Sequence, residues 1–287
     1  MSISQFSHLF HYIRYRGFEL KRFPIMELQK GMLITSIDLE VGNRKLGIIN
    51  AGKNDVNVNN RVSEYQIGVI EETAIPLFMK LFDELQMPVT IAVRGQLLEL
   101  GESALAPILE SSVKHDIGAH GYSHRSFPDL SYEEAENELK LTASLMRGLG
   151  IVPKSFVFPK NRVSHLNLLC KHGYACYRDQ GNFLRDAMYI RKHDQIYDIH
   201  PSLYLDQWSN EVFMRKILDI CICKRLPLHV WFHLWNFGQK RGAIQKSIDG
   251  IFLPFLKYAR KKVDEGELTF ETMLSSIKSL ELISESP

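Results

Sequence analysis

The stretch Met32-Leu33-Ile34-Thr35-Ser36-Ile37 runs directly into Asp38-Leu39-Glu40. Six uncharged residues rich in Leu, Ile and Met read as a strand buried on both faces, which is the signature of a parallel sheet covered by helices. Working outward, Pro88–Val93, Asp116–Ala119, Ser155–Phe158, Tyr174–Arg178, Leu228–His233 and Glu267–Phe270 read as six more strands. Helical periods fill the intervals: Ile70–Leu85, Ala104–Val113, Glu211–Cys223, Ile244–Val263 and Glu271–Leu280. Ser131 with Glu134 forms a capping box that opens a helix to about Leu149, closed by Gly150. Asn161 is placed to cap a helix over Arg162–Lys171. Strands alternating with helices predict a parallel α/β architecture, either an open doubly wound sheet or a barrel. In both, chemistry belongs at the carboxyl ends of the strands. No glycine-rich phosphate loop follows the first strand, which argues against a nucleotide fold.

The chain has 287 residues, 45% of them hydrophobic, with 35 basic and 33 acidic side chains and a formal charge of +2. That balance excludes binding to nucleic acid through bulk electrostatics, and the apolar content excludes a disordered chain. No apolar run reaches the roughly 20 residues that span a bilayer. Met1–Pro24 mixes His8, His11, Arg14, Arg16, Glu19, Lys21 and Arg22 among its aromatics. This is unlike the continuous apolar core of a secretory signal, so the expectation is a cytoplasmic protein. Residues 1–30 read as an amphipathic extension with a helix over Phe6–Tyr15, and 31–287 as a single domain interrupted by a polar loop at 41–65. Cys170, Cys176, Cys221 and Cys223 contain no Cys-x-x-Cys pair and are expected as reduced, mostly buried thiols. The notable count is eleven histidines.

Several of those histidines fall at strand ends. Asp38 and Glu40 share one face of the first strand, because side chains alternate along it. Two carboxylates there can divide labour, one ligating a cation and the other taking a proton. The third strand runs into Gly118-Ala119-His120-Gly121-Tyr122-Ser123-His124. Its two histidines meet on one face if the segment makes a helical turn, which suits two imidazoles on one metal. His229 and His233 share the same spacing but lie on a predicted strand, where four steps separate them by about 13 Å. His233 therefore reaches the rim as a candidate acid or base, and His229 is expected to be structural. The fourth strand ends at Phe158-Pro159-Lys160-Asn161. There the Lys160 backbone N–H is a candidate donor to an oxyanion.

These pieces resemble the polysaccharide deacetylase family with the NodB-type domain, carbohydrate esterase family 4. The segment Gly118 to His124 resembles its metal-binding His-x-x-x-His, and Ser36 to Glu40 its first-strand acidic motif. Trp231-Phe232-His233 resembles its late histidine motif, and Thr269-Phe270-Glu271-Thr272-Met273 its final strand and helix. The resemblance spans roughly residues 30–280 and is nearest to unsecreted members found in O-antigen biosynthesis. It implies a distorted (β/α)7 barrel and one divalent metal ion, usually zinc. It also implies His120 and His124 as ligands, Asp38 as base and His233 as acid. The family often carries two adjacent aspartates in its first motif. Here Leu39 follows Asp38, so Glu40 is the candidate third ligand, with the roles of the two carboxylates open to reversal.

Two departures matter. Val157 stands where the family's Arg-x-Pro arginine would tether the base, which leaves Arg162 or Arg178 to hold Asp38. Asp206-Gln207-Trp208 matches the family's Asp-Trp motif weakly. The implied reaction is removal of an N-acetyl group from an amino sugar that is nucleotide-linked, lipid-linked or oligosaccharidic. Lys240 and Arg241 are candidates to meet a diphosphate, and Trp208, Trp231 and Trp235 to stack on sugar rings. Alternatives are an amidase or deformylase on the same fold, or a sugar-binding protein that retains only the scaffold. No nucleic-acid partner is expected, and a homo-oligomer is left open.

Overall fold

The computed structural model describes residues 28–40, 69–100, 105–179, 188–237 and 241–284. Residues 1–27 of the expected extension, the polar loop at 41–65 and Lys240 lie outside them. Strand β1 is Gly31–Leu39, and every residue in it is buried. Beyond it the chain forms β2 (Thr90–Val93), β3 (Asp116–Ala119), β4 (Ser155–Val157), β5 (Cys176–Arg178), β6 (Ile190–His193), β7 (Ile196–Ile199), β8 (Leu203–Tyr204), β9 (Pro227–His233) and β10 (Leu268–Glu271). The strand order is β6-β7-β5-β4-β3-β2-β1-β9-β8, with β10 paired to the amino half of β1. All pairings are parallel except the β6–β7 hairpin.

The wall curves into a barrel because one stretch of chain serves both of its edges. Residues 196–199 pair with β5, and 203–204 pair with β9. Between them the Ser202 N–H donates to the His229 carbonyl at 2.8 Å, so the chain passes from one edge to the other along the wall. Counted this way, seven parallel staves form a distorted NodB-type barrel, as the resemblance implied.

Parity along β1 sorts the core. Leu33, Ile37 and Leu39 join the large apolar layer between sheet and helices. Met32 and Ile34 join Ala92, Val157, Cys176, Tyr197 and Ile199 in a smaller interior cluster. Ser36, Asp38 and Glu40 continue that interior series toward the carboxyl end. Met273, Ile277 and Leu280 from the last helix complete the cluster at its amino end, where the Met273 N–H donates to Thr90 Oγ1 at 2.8 Å.

The helices are α1 (Ile75–Glu84), α2 (Ala106–Leu109), α3 (Tyr132–Gly148), α4 (Leu166–Lys171), α5 (Glu211–Lys224), α6 (Arg241–Ser247), α7 (Leu253–Asp264) and α8 (Met273–Ser284). The capping box is present: Ser131 Oγ accepts from the Glu134 N–H, and Glu134 Oε2 accepts from the Ser131 N–H. Three helices differ from expectation. Ile70–Leu85 and Ile244–Val263 each contain a wide turn, Ile70–Ala74 and Ile248–Phe252, before an α-helix restarts. Pro76 and Pro254 stand at the restarts, and a proline neither donates an N–H nor tolerates the carbonyl four residues before it. The Ala104–Val113 helix shrinks to four residues. Beyond it Asp83 Oδ1 takes the Val113 N–H out of helical pairing and also accepts from the Ser111 hydroxyl.

Asn161 does not cap a helix. Lys160, Asn161 and His165 adopt left-handed backbone, with φ of 58°, 52° and 55°, and α4 starts only at Leu166. The hairpin β6–β7 and the short β8 add to the strands expected from the sequence.

Candidate active site

Three strand ends deliver the candidate residues to one place. Glu40 leaves β1, His120 and His124 leave β3, and His233 ends β9 in register with Asp38. Glu40, His120 and His124 are 2%, 1% and 3% exposed, and their ligand atoms lie within 4.8 Å of one another. Both imidazoles turn Nε2 toward the same oxygen, Glu40 Oε2, at 3.3 Å for His120 and 2.5 Å for His124.

The histidine pair meets without the expected helical turn. Gly121 and His124 both take left-handed backbone, with φ of 66° and 64°, and the loop bends back until the rings stand 4.9 Å apart. Gly121 is suited to this conformation because a Cβ there would also press on Pro159 Cγ at 3.2 Å.

The donor set fits a divalent ion of the zinc class. His120 Nδ1 lies 2.8 Å from the Val157 carbonyl. A carbonyl only accepts, so Nδ1 donates there and Nε2 is the nitrogen turned toward Glu40. Two imidazole nitrogens and a carboxylate oxygen converging in a buried site are the kind of donor set such an ion takes. A backbone carbonyl on the distal nitrogen is also the usual way a protein fixes a ligating histidine.

Asp38 belongs to a different contact set. Arg178 Nη1 donates to Asp38 Oδ1 at 2.7 Å and Nη2 to Oδ2 at 2.5 Å, with Arg178 fully buried. The same guanidinium donates to Ser36 Oγ at 3.0 Å and Asn161 Oδ1 at 2.8 Å, and lies 4.3 Å over the Trp231 ring. Burial alone would raise the Asp38 carboxyl. Arg178, with His120 and His233, overcomes that and holds it below the ordinary carboxylate value. Burial likewise opposes the charge on Glu40, but His124, His233 and His120 hold its carboxyl well below the usual range.

The sequence leaves two arginines as tethers for Asp38, and the fold distinguishes them. Arg162 points to Ser126 Oγ and Asp129 on the surface. Arg178 is the direct ladder partner of Val157. The guanidinium thus comes from the neighbouring strand at the same level of the barrel.

His233 Nε2 stands 3.1 Å from Glu40 Oε1 and 3.7 Å from Asp38 Oδ2. Its Nδ1 and its backbone N–H both meet Asn236 Oδ1, at 3.0 and 2.7 Å. Burial disfavours the imidazolium, yet the two carboxylates and Asn236 raise its pKa above the ordinary value. His229 is structural as expected, with Nε2 2.8 Å from Ser36 Oγ and Nδ1 3.2 Å from the Ile199 carbonyl. The Asn161 N–H is committed to the Phe158 carbonyl, and its side chain reaches the site through Arg178. Lys160 lies exposed in the same turn, between Pro159 and Asn161.

Two residues near the site escape sequence reasoning. Asn236 orients His233 and follows it by three residues, a spacing with no motif behind it. Glu138 holds the backbone between the two histidines and is hidden within the polar pattern of α3. A separate group, Asp179, Asp198 and His200, also clusters. Asp198 faces Arg191 at 3.3 Å and His200 meets Asp179 at 2.8 Å, while burial and the Asp179 charge push the Asp198 carboxyl up to about 8. Of the tryptophans, Trp208 is exposed, whereas Trp231 packs on Arg178 and Tyr204. No helix among the described residues is long and apolar enough to cross a membrane.

Known proteins resemble this chain in sequence and in fold. The sequence model described as polysaccharide deacetylase matches residues 65–175. A peptidoglycan deacetylase from Helicobacter pylori is 29% identical over 152 residues, which is 52% of this chain and 51% of that protein. The match thus spans about half the length of the curated relative. Among solved structures, Puue allantoinase superposes with a TM-score of 0.66 at 12% identity, covering 96% of this chain and 98% of that one. A structure described as a probable polysaccharide deacetylase from Pseudomonas aeruginosa PAO1 gives 0.63 at 14% identity, covering 86% and 90%. The chain therefore carries the polysaccharide deacetylase family's sequence over residues 65–175, and its described residues adopt that family's NodB-type fold.

Proposed function

We propose that the chain is a zinc-dependent carbohydrate N-deacetylase that hydrolyses the N-acetyl amide of an amino sugar. The observation that carries this reading is the convergence of Glu40, His120 and His124, with Asp38 and His233 beside them. The family match and the relative named for peptidoglycan support the substrate class. Glu40, His120 and His124 would hold the ion. When bound, such an ion polarises an acyl oxygen and lowers the pKa of a water toward about 7.

Asp38, kept ionised by Arg178, takes the proton of the attacking water on a carboxylate oxygen. His233 has its Nδ1–H committed to Asn236, so the proton it can deliver sits on Nε2, facing the reacting centre. An amine leaves poorly without a proton, and His233 supplies it to the departing nitrogen. The Lys160 backbone N–H is the protein donor proposed for the developing oxyanion. Exposed Trp208 offers a face for a sugar ring in a nucleotide-linked, lipid-linked or oligosaccharide substrate.

The test offers zinc-loaded protein three amides: an N-acetylated amino-sugar oligosaccharide, its N-formyl counterpart and a cyclic amide. Acetate release should dominate and should vanish in Asp38→Asn while the metal stays bound. Faster formate release or ring opening would reassign the chain as a deformylase or amidase. Zinc-loaded protein inert toward all three would leave a sugar-binding protein and overturn the reading.

A further inference from the structure

The loop from His120 to His124 has no regular secondary structure, yet five of its backbone groups meet fixed partners. The His120 N–H donates to the Val93 carbonyl at 3.0 Å. The carbonyls of Gly121 and Tyr122 accept from the N–H groups of Gly95 and Gln96, at 2.8 and 3.1 Å. The N–H groups of Tyr122 and Ser123 share a different partner, a side chain of α3. Both donate to a single oxygen, Glu138 Oε2, at 2.8 Å each, and the Ser123 hydroxyl donates to Glu138 Oε1 at 2.5 Å.

Glu138 is 6% exposed, in the interior of α3. A carboxylate buried on a helix face is uncommon unless its acceptors are engaged. Here it accepts three hydrogen bonds, all from the loop that separates the two histidines. The helix is held in register beneath that loop. Its first turn is fixed by the Ser131 capping box. One turn beyond Glu138, Thr142 packs so closely on Gly95 that a Cβ there would stand 2.7 Å from Thr142 Oγ1. The loop is therefore clamped between the backbone of residues 95–96 and one side chain of α3.

We propose that Glu138 is the positioning residue of the metal centre: by drawing in the Tyr122 and Ser123 N–H groups it sets the bend that brings His120 and His124 together. This rests on reading Glu40, His120 and His124 as metal ligands. Glu138 touches neither the ligand atoms nor the reacting groups and acts only through the loop backbone. A hydrogen bond to an ionised acceptor is about twice as strong as a neutral one, which suits a bend that must survive the entry of an ion. Loss of outer partners of this kind commonly weakens metal affinity about 10- to 100-fold.

The measurement is the zinc dissociation constant of the full chain, by competition with a chelator, alongside thermal unfolding without metal. Glu138→Ala and Glu138→Asp should weaken zinc binding about 10- to 100-fold. Aspartate keeps the charge but falls one methylene short of the loop. Glu138→Gln keeps an oxygen at the right reach and should stay within about tenfold of the unsubstituted protein. A merely structural role would lower metal-free stability in all three without this ranking of affinities. Should Glu138→Ala fail to fold, the contrast between the aspartate and glutamine variants decides the same question. Zinc affinity unchanged in the alanine and aspartate variants overturns the proposal, as does glutamine binding no better than aspartate. If the unsubstituted protein binds no zinc, the metal centre itself falls, and this role with it.

Discussion

His229 shows how one residue fixes the chemistry of another without entering the reaction. The Ile199 carbonyl can only accept, so His229 Nδ1 carries the proton and Nε2 accepts from the Ser36 hydroxyl. Ser36 Oγ in turn accepts from Arg178, so this neutral imidazole completes the setting of the Asp38 tether. Burial, reinforced by the nearby Arg178 charge, pushes the His229 pKa down to about 3. An unfolded chain takes up this proton near pH 6.5, whereas the folded one resists it until about pH 3. The contribution is complete above about pH 6.5 and lost as pH falls through that window, by up to about 1.4 kcal/mol per pH unit. Replacing His229 with Gln should flatten the slope of stability against pH between about 6 and 4 by that order, read from urea midpoints. Equal slopes in the two proteins would sink the assignment. Strand spacing in the sequence is enough to set His229 apart from the proposed catalytic pair, Asp38 and His233. Its partners are not legible there, because Ser36 lies 193 residues away and only the β1–β9 register brings them together.

At the scale of elements, the register between β4 and β5 has the larger consequence. Val157 pairs with Arg178, and neighbouring strands lie about 4.8 Å apart, less than the length of an arginine side chain. A guanidinium carried by either strand can then reach the same interior level. The single change Arg178→Val strands Asp38 as a buried carboxylate, which costs about 3–5 kcal/mol of stability, and it should abolish most activity. Adding Val157→Arg should recover at least tenfold in kcat/KM over the single variant. A double variant no better than the single one would show that the Ser36, Asn161 and Trp231 contacts around Arg178 are indispensable. The sequence alone cannot choose between Arg162 and Arg178, because the choice depends on pairing between strands. Elements with strong local signals are legible: the β1 run, Asp116–Ala119 and the Ser131 capping box. The β6–β7 hairpin is not, since Ile190-Arg191-Lys192-His193 carries three polar residues in four and its pairing is set by tertiary contacts. The two interrupted helices read too long in the sequence because hydrophobic period continues through a wide turn while hydrogen bonding changes.

For the whole molecule, the candidate ligands come from β1 and β3, which are separated in the sheet by β2 and in the chain by 80 residues. An ion bound by Glu40, His120 and His124 therefore ties two staves whose relative position depends on β2 between them and on the curvature of the sheet. Such a site is formed only in the folded state, so zinc should stabilise the protein by mass action. At a free concentration about one hundred times its Kd the gain is about 2.7 kcal/mol. For a chain of this size that corresponds to a rise in Tm of roughly 4 to 5 °C, reversed by a chelator. His124→Ala removes one ligand. Without metal the variant should unfold below the unsubstituted protein, because Glu40 loses its nearest partner, and added zinc should leave its Tm unmoved. His229→Gln, which alters a histidine of the same barrel interior but not a ligand, should keep the full zinc-dependent rise. The two variants together separate binding at this centre from adventitious binding by the other histidines of the chain. An equal rise in His124→Ala would place the ion elsewhere and dissolve the assignment of the triad.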